Sequence, residues 1–172
     1  MKIFNDYVVI DTETSGLNPD NGDRITSISG LKIINSQIQD QFFGLINAGV
    51  TIDPMAEEIT GISNRLLKDA PSGMIVFPQF LSFIGSLPVV AHNAEFDKKF
   101  LENELRLLNF DEFLQYNDTL TIARNMFPGE KCSIDSLLEK LNLKSQTIEG
   151  FYSSDVKNTY QIYEAFKKRR LM

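Results

Sequence analysis

The sequence predicts an α/β fold, one mixed central sheet of about five strands with helices packed on it. Three observations predict it. Val8, Val9 and Ile10 form a β-branched apolar run, the pattern of a strand buried on both faces in mid-sheet. Residues 24–34 (RITSISGLKII) and 37–46 (QIQDQFFGLI) read as two strands, and Asn35-Ser36 joins them into a hairpin. Further along, short apolar strands alternate with helical patterns, as in a sheet built by crossovers. The expected order is β-β-β-α-β-α-β-α-α. No internal repeat or composition shift divides the chain, so one domain over 1–172 is expected.

Each element has its local reason. Residues 18–22 are a turn cluster after the first strand. Asp53-Pro54 is a helix start, with Asp as N-cap, Pro in first position and Gly61 as the stop. Ser63 caps a second short helix that Pro71 ends. A longer helix is expected over 74–85, with Ile75, Phe77, Phe80, Leu81 and Ile84 as its apolar positions. Pro78 suggests that its first turn begins there. LPVVA at 87–91 is a short buried strand, followed by His92-Asn93 and a helix. On that helix Phe96, Phe100, Glu104 and Leu107 fall on one line, with Phe100, Leu101, Leu105 and Leu108 as the core stripe. Asp118 ends another short strand and caps TLTIARNMF. Ser133 caps the next helix. Ser153 or Ser154 starts the last, whose inner face is Val156, Tyr160, Tyr163 and Phe166.

Composition narrows the chemistry. A hydrophobic fraction of 42% and a charged fraction of 23% are ordinary for a soluble globular protein. No apolar run reaches membrane-spanning or signal-peptide length, so a cytoplasmic protein is expected. Cys132 is the only cysteine and His92 the only histidine, which excludes an internal disulfide and zinc sites built on several such ligands. The net charge of −6 argues against tight nonspecific duplex binding through a broad basic surface. It leaves room for an enzyme that grips a few nucleotides.

The first strand runs directly into Asp11 and Glu13. Alternation puts residues i and i+2 on the same side of a strand, so both carboxylates leave its end together. Two like charges held so close repel, and a divalent cation is the natural group to share between them. The plainer alternative is a turn-capping Asp11 beside a solvated Glu13. Two further acids favour the cation. Asp97 falls near the start of the helix after 87–91, and Asp155 in the first turn of the last helix, where the helix dipole favours the ionised form. Four carboxylates converging from such positions would call for two divalent cations, Mg²⁺ or Mn²⁺.

These stretches resemble the DnaQ-like (DEDD) 3′–5′ exonucleases, the type that includes proofreading ε subunits of DNA polymerase III and the exonuclease domain of the Gram-positive replicative polymerase. IDTETSGL matches the first motif and VVAHNAEFDKKFL the second. SSDVKNTYQIY matches the third, while YNDTLTIARNMFPG and SIDSLLEKL match the stretch between the last two. The resemblance implies an RNase H-like fold, two metal ions and hydrolysis of terminal phosphodiesters at single-stranded or frayed DNA 3′ ends, in proofreading or repair, with a DNA polymerase as possible partner. It implies that Asp11, Glu13, Asp97 and Asp155 are catalytic and metal-binding. Thr12, Thr14, Gly16, Leu17, Asn93 and Phe96 match positions that hold the terminal nucleotide, with Leu17 as an apolar wedge, and Thr60 lies near another. The third motif departs from the family. Gly150 and Phe151 stand where its subtypes carry histidine and tyrosine, which leaves reduced activity through metal-bound hydroxide alone or a substitute base from elsewhere in the chain. The alternative function is a weak or inactive module that binds nucleic acid or a polymerase.

Smaller signals read structurally. His92 is expected as a packed residue, Cys132 as a semi-buried filler, and Met55 replaces an acid found in ε subunits. Residues 167–170 (KKRR) complement the last helix dipole, with DNA contact as the other reading.

Overall fold

The computed structural model describes residues 3–111, 114–147 and 154–171. Five strands make one sheet in the order β3-β2-β1-β4-β5. They are β1 (Tyr7–Thr14), β2 (Ile25–Ile34), β3 (Gln37–Leu45), β4 (Val89–Ala91) and β5 (Tyr116–Asp118). The helices are α1 (Pro54–Thr60), α2 (Asn64–Leu67), α3 (Gly73–Ile84), α4 (Ala94–Leu107), α5 (Thr119–Met126), α6 (Ile134–Lys140) and α7 (Asp155–Leu171). The mixed sheet of five strands is the one the sequence predicts. Among the described residues the helices exceed the four of the expected order, with three between β3 and β4 and three after β5. Ser153 lies outside the described residues; Ser154, whose carbonyl accepts from the N–H groups of Lys157 and Asn158, opens α7.

β1 is central, as its apolar run requires. It pairs antiparallel with β2 and parallel with β4. The β2–β3 turn has positive φ at both Asn35 and Ser36, the geometry that matches hairpin twist. Alternation along β1 divides the core in two. Tyr7 and Val9 pack with Val156, Tyr163 and Phe166 of α7 on one face of the sheet. Val8 and Ile10 pack with Phe77 and Phe80 of α3 and Phe100 and Leu101 of α4 on the other.

Three expectations change. The helix over 73–84 runs straight through Pro78. Proline removes one backbone donor there, but burial of Val76, Phe77, Phe80 and Ile84 against the sheet outweighs one hydrogen bond. The buried stripe therefore contains Val76, while Ile75 is exposed. On α4, Leu107 is likewise exposed and Glu104 is buried instead. Lys167 does not belong to a basic surface strip. It is buried, its Nζ lying 2.7 Å from Glu164 and 3.0 Å from Ser36 Oγ, and over the rings of Tyr7 and Tyr163. Its long stem crosses the apolar seam between α7 and β1, and the ammonium ends on partners that satisfy it. Among the described residues, no helix is long and apolar enough to cross a membrane.

Candidate active site

The site lies at the carboxyl ends of the parallel strands, the usual binding crevice of an open α/β sheet. β4 stops at Ala91 while β1 continues to Thr14, so the edge of β1 beyond Ile10 has no strand partner on that side. The N-terminus of α4 fills the gap. Asp97, in its first turn, accepts from Thr12 N–H at 3.0 Å and from Thr12 Oγ1 at 2.8 Å. A backbone donor left open by the short β4 is thus satisfied by a carboxylate from a helix 85 residues further on.

Asp97 is 4% exposed. Burial, and then the neighbouring charge of Asp11, push its carboxyl well above the usual range; the Thr12 donors oppose this. Asp11 and Glu13 sit half-buried on β1, opposite Ser29 and Ser27 of β2. Alternation directs them to the face packed by α7, and Thr12 to the face packed by α4. Asp155 opens α7, half-buried, its carboxyl raised by burial and by Asp135. Of the other three acids, Asp11 is near enough for its charge to act on Asp97. Among the described residues, no three His, Cys, Asp or Glu side chains form a ready-made metal-holding group. Gly150, Phe151 and Tyr152, where the departure from the exonuclease motif falls, lie outside the described residues.

The loop after β1 is built tightly. Thr14 Oγ1 donates to the Gly16 carbonyl at 2.6 Å, and Ser15 accepts from Arg24 N–H at 3.0 Å. A Cβ on Gly16 would collide with the Asp23 carboxylate, which accepts from Asn18 N–H. Leu17 projects from this loop at 82% exposure. Asp53 N–H donates to the Ser15 carbonyl and so ties α1 to the same loop. Thr60, at the end of α1, bonds the Ala56 carbonyl and Ile62 N–H, a helix-end role. Phe96 is half-buried with its ring 4.9 Å from that of Phe100. Asn93 is exposed in left-handed conformation, φ 66°.

Asp118 does more than cap α5. Its Oδ1 accepts from Leu120 N–H, and also from Asn93 N–H at 2.9 Å and Ala94 N–H at 3.2 Å at the start of α4. Its Oδ2 takes Thr121 N–H and Oγ1. One carboxylate therefore fixes two helix starts, including the helix that carries Asp97. These donors hold its pKa below the usual value against the opposing effect of burial. A folded-state pKa below the unfolded one gives stability that is present at neutral pH and lost as pH falls through the folded value. Asp118→Ala is expected to cost about 2 kcal/mol at pH 7, the upper range for a lost N-cap, and less at an acid pH where the folded protein has begun to protonate this carboxylate. Urea midpoints at the two pH values measure it; an equal loss at both would mean that the charge is not what matters.

His92 is structural, as expected. Its Nδ1 lies 2.9 Å from Thr119 Oγ1, and burial lowers its pKa. Cys132 is buried.

Sequence reasoning missed the partner of Glu104. Both its oxygens bind the Arg24 guanidinium, at 2.8 and 2.6 Å, and it accepts from Ile25 N–H at 3.1 Å. The available signal was an acid on an otherwise apolar helix line, seven residues after Asp97. Arg24 thereby connects the loop after β1, through its backbone, with α4, through its side chain.

The Exonuclease family model matches residues 8–163. The chain belongs to the exonuclease family. This exonuclease-family chain is 39% identical over 142 residues to the DNA polymerase III subunit epsilon of Rickettsia prowazekii, covering 79% of this chain and 62% of that protein. It is 38% identical over 138 residues to the PolC-type DNA polymerase III of Thermotoga petrophila, covering 80% of this chain and 10% of that one. It thus spans somewhat less than two thirds of the epsilon relative's length. Exonuclease X in complex with 5′ overhanging duplex DNA superposes with TM-score 0.73 and 26% identity, over 94% of this chain and 92% of that chain. The exonuclease of the ExoI/SSB-Ct complex superposes with TM-score 0.82 at 15% identity, over 97% of this chain and 42% of that one, a likeness of fold alone. The fold is the RNase H-like one that the sequence implies.

Proposed function

We propose that the chain is a metal-dependent 3′–5′ exonuclease that removes terminal nucleotides from single-stranded or frayed DNA 3′ ends, in proofreading or repair and in the cytoplasm. The observation that carries the reading is Asp97, buried at the end of β1 on the Thr12 donors and beside the charge of Asp11. A protein gains nothing in stability from crowding carboxylates this way; a site that takes up cations does. The names of the relatives, DNA polymerase III epsilon and PolC-type, support a DNA substrate and a polymerase partner.

Asp11, Glu13, Asp97 and Asp155 are the residues that would hold two Mg²⁺ or Mn²⁺ ions. All four offer the hard oxygen donors these ions prefer. Divalent ions held there supply Lewis acidity for activating water and charge stabilisation for the leaving 3′ oxygen. The chain's own part is placement. Thr12 fixes the Asp97 carboxylate through two donors. Asp118 sets the start of the helix bearing it. The family resemblance assigns the grip on the terminal nucleotide to Thr12, Thr14, Gly16, Leu17, Thr60, Asn93 and Phe96, and the 82% exposure of Leu17 supports its part as an apolar wedge.

The deciding test is release of mononucleotides from a 3′-labelled single-stranded oligonucleotide with Mg²⁺ or Mn²⁺. An intact oligonucleotide that the protein nevertheless retains would establish the alternative, a binding module, which Gly150 favours. The metal site has its own check. An ion bound only by the folded state stabilises it by about 2.7 kcal/mol at a hundred times its Kd. Millimolar Mn²⁺ is therefore expected to raise Tm by about 5–10 °C in wild type and not in Asp11→Asn. An unchanged wild-type melting curve would refute the site.

A further inference from the structure

Beside Asp155 opens a cavity of about 590 Å³, lined by His92 and Asn93 after β4, Arg124 of α5, and Lys131 and Asp135 around the start of α6. Two cations line it in a chain of net charge −6. Among the described residues Arg24, Lys99, Lys140 and Lys167 are taken up in ion pairs, whereas Arg124 and Lys131, like Lys98 and Arg106, are in none of those pairs. Arg124 and Lys131 are exposed. Glu130, which also lines the cavity, is neutralised by Lys140. Arg124 and His92 line the same cavity.

We propose that Arg124 and Lys131 form a phosphate-binding strip for the nucleic-acid strand on the 5′ side of the bond that is cut. The inference rests on the exonuclease reading, and adds to it where the rest of the strand lies. Of the residues assigned to the terminal nucleotide, Thr12, Thr14, Leu17 and Phe96 do not line the cavity, and Asn93 does, so the cavity adjoins that site. Asp155 lines it as well. A strand whose last nucleotide sits against Leu17 and whose scissile phosphate reaches the carboxylates leaves past Asp155, into the cavity. Two cations there meet its next phosphates. Guanidinium and ammonium groups suit phosphodiester oxygens, and their contact is independent of base sequence. An acidic protein can hold a strand this way without a broad basic face.

The test is the salt dependence of binding to a single-stranded oligonucleotide whose 3′-terminal linkages are phosphorothioates, in Mg²⁺, followed by fluorescence anisotropy. Each phosphate contact on a single strand contributes about 0.7 to the slope of log K against log salt. Arg124→Ala and Lys131→Ala are each expected to reduce the slope by about 0.7, and the double variant by about 1.4. Arg106→Ala removes an exposed arginine at the far end of α4 and is expected to keep the wild-type slope. If the double variant keeps the wild-type slope, or Arg106→Ala lowers it equally, the strip is overturned while the exonuclease reading stands. Wild-type protein that neither binds nor shortens any strand would overturn both.

Discussion

Asp97→Asn is expected to lower turnover by about 10³-fold or more while leaving the protein at least as stable as wild type. The first half follows from its place among the acids. Metal-held charge stabilisation is worth several kcal/mol in the transition state, and about 4 kcal/mol is a thousandfold in rate. The second half follows from burial. A folded-state pKa raised above the unfolded one gives stability that is greatest at low pH and lost as pH rises through the folded value. In the absence of divalent ions the charged form of Asp97 is therefore penalised in the folded protein, and Asn removes that penalty. Asn Oδ1 still accepts from Thr12 N–H and Oγ1, so the local geometry is kept. The measurement is Tm in EDTA beside turnover on a labelled single strand. A Tm several degrees below wild type would place Asp97 among the structural residues; full turnover would remove it from the chemistry.

Arg24→Ala is expected to be the most damaging surface-adjacent substitution, costing about 3–5 kcal/mol, the usual loss when one partner of a buried ion pair is removed. Glu104 is 1% exposed and would be left without the guanidinium, holding the Ile25 N–H bond. At about 2–4 °C per kcal/mol for a chain of this size, Tm falls by about 10 °C. The converse change is milder. The Arg24 side chain is 24% exposed, so in Glu104→Ala it can turn to solvent. The double substitution Arg24→Met with Glu104→Leu is expected to recover most of the loss, because a well-packed apolar pair of similar volume can replace a buried ion pair. Three thermal melts decide it. A small loss for Arg24→Ala, which keeps the backbone N–H that bonds Ser15 Oγ, would mean that Arg24 acts through its backbone and not through the pair.

By itself the sequence determined the central strand, the hairpin, the succession of strands and the acids at strand and helix ends. All of these are local patterns. β-Branched runs, period-two and period-3.6 spacing, and caps such as Asp53-Pro54 report on neighbours a few residues away. The sequence could also name the exonuclease family, because the family motifs are contiguous stretches.

Only the tertiary structure decided which polar groups meet. Thr12 and Asp97 are 85 residues apart, Arg24 and Glu104 80, Lys167 and Ser36 131. No periodicity links such positions. Asp118 read correctly as a cap for the helix after it, yet its hold on Asn93 and Ala94 exists only because β4 and β5 lie side by side. Lys167 in a basic run read as a complement to the helix dipole; its burial depended on Tyr7 and Glu164 lying where the ammonium ends. Pro78 misled for the opposite reason, since a local rule gave way to packing against the sheet. The local signals fix elements because they cost or gain free energy within a turn or two. The site is made of contacts whose free energy appears only after the elements have assembled.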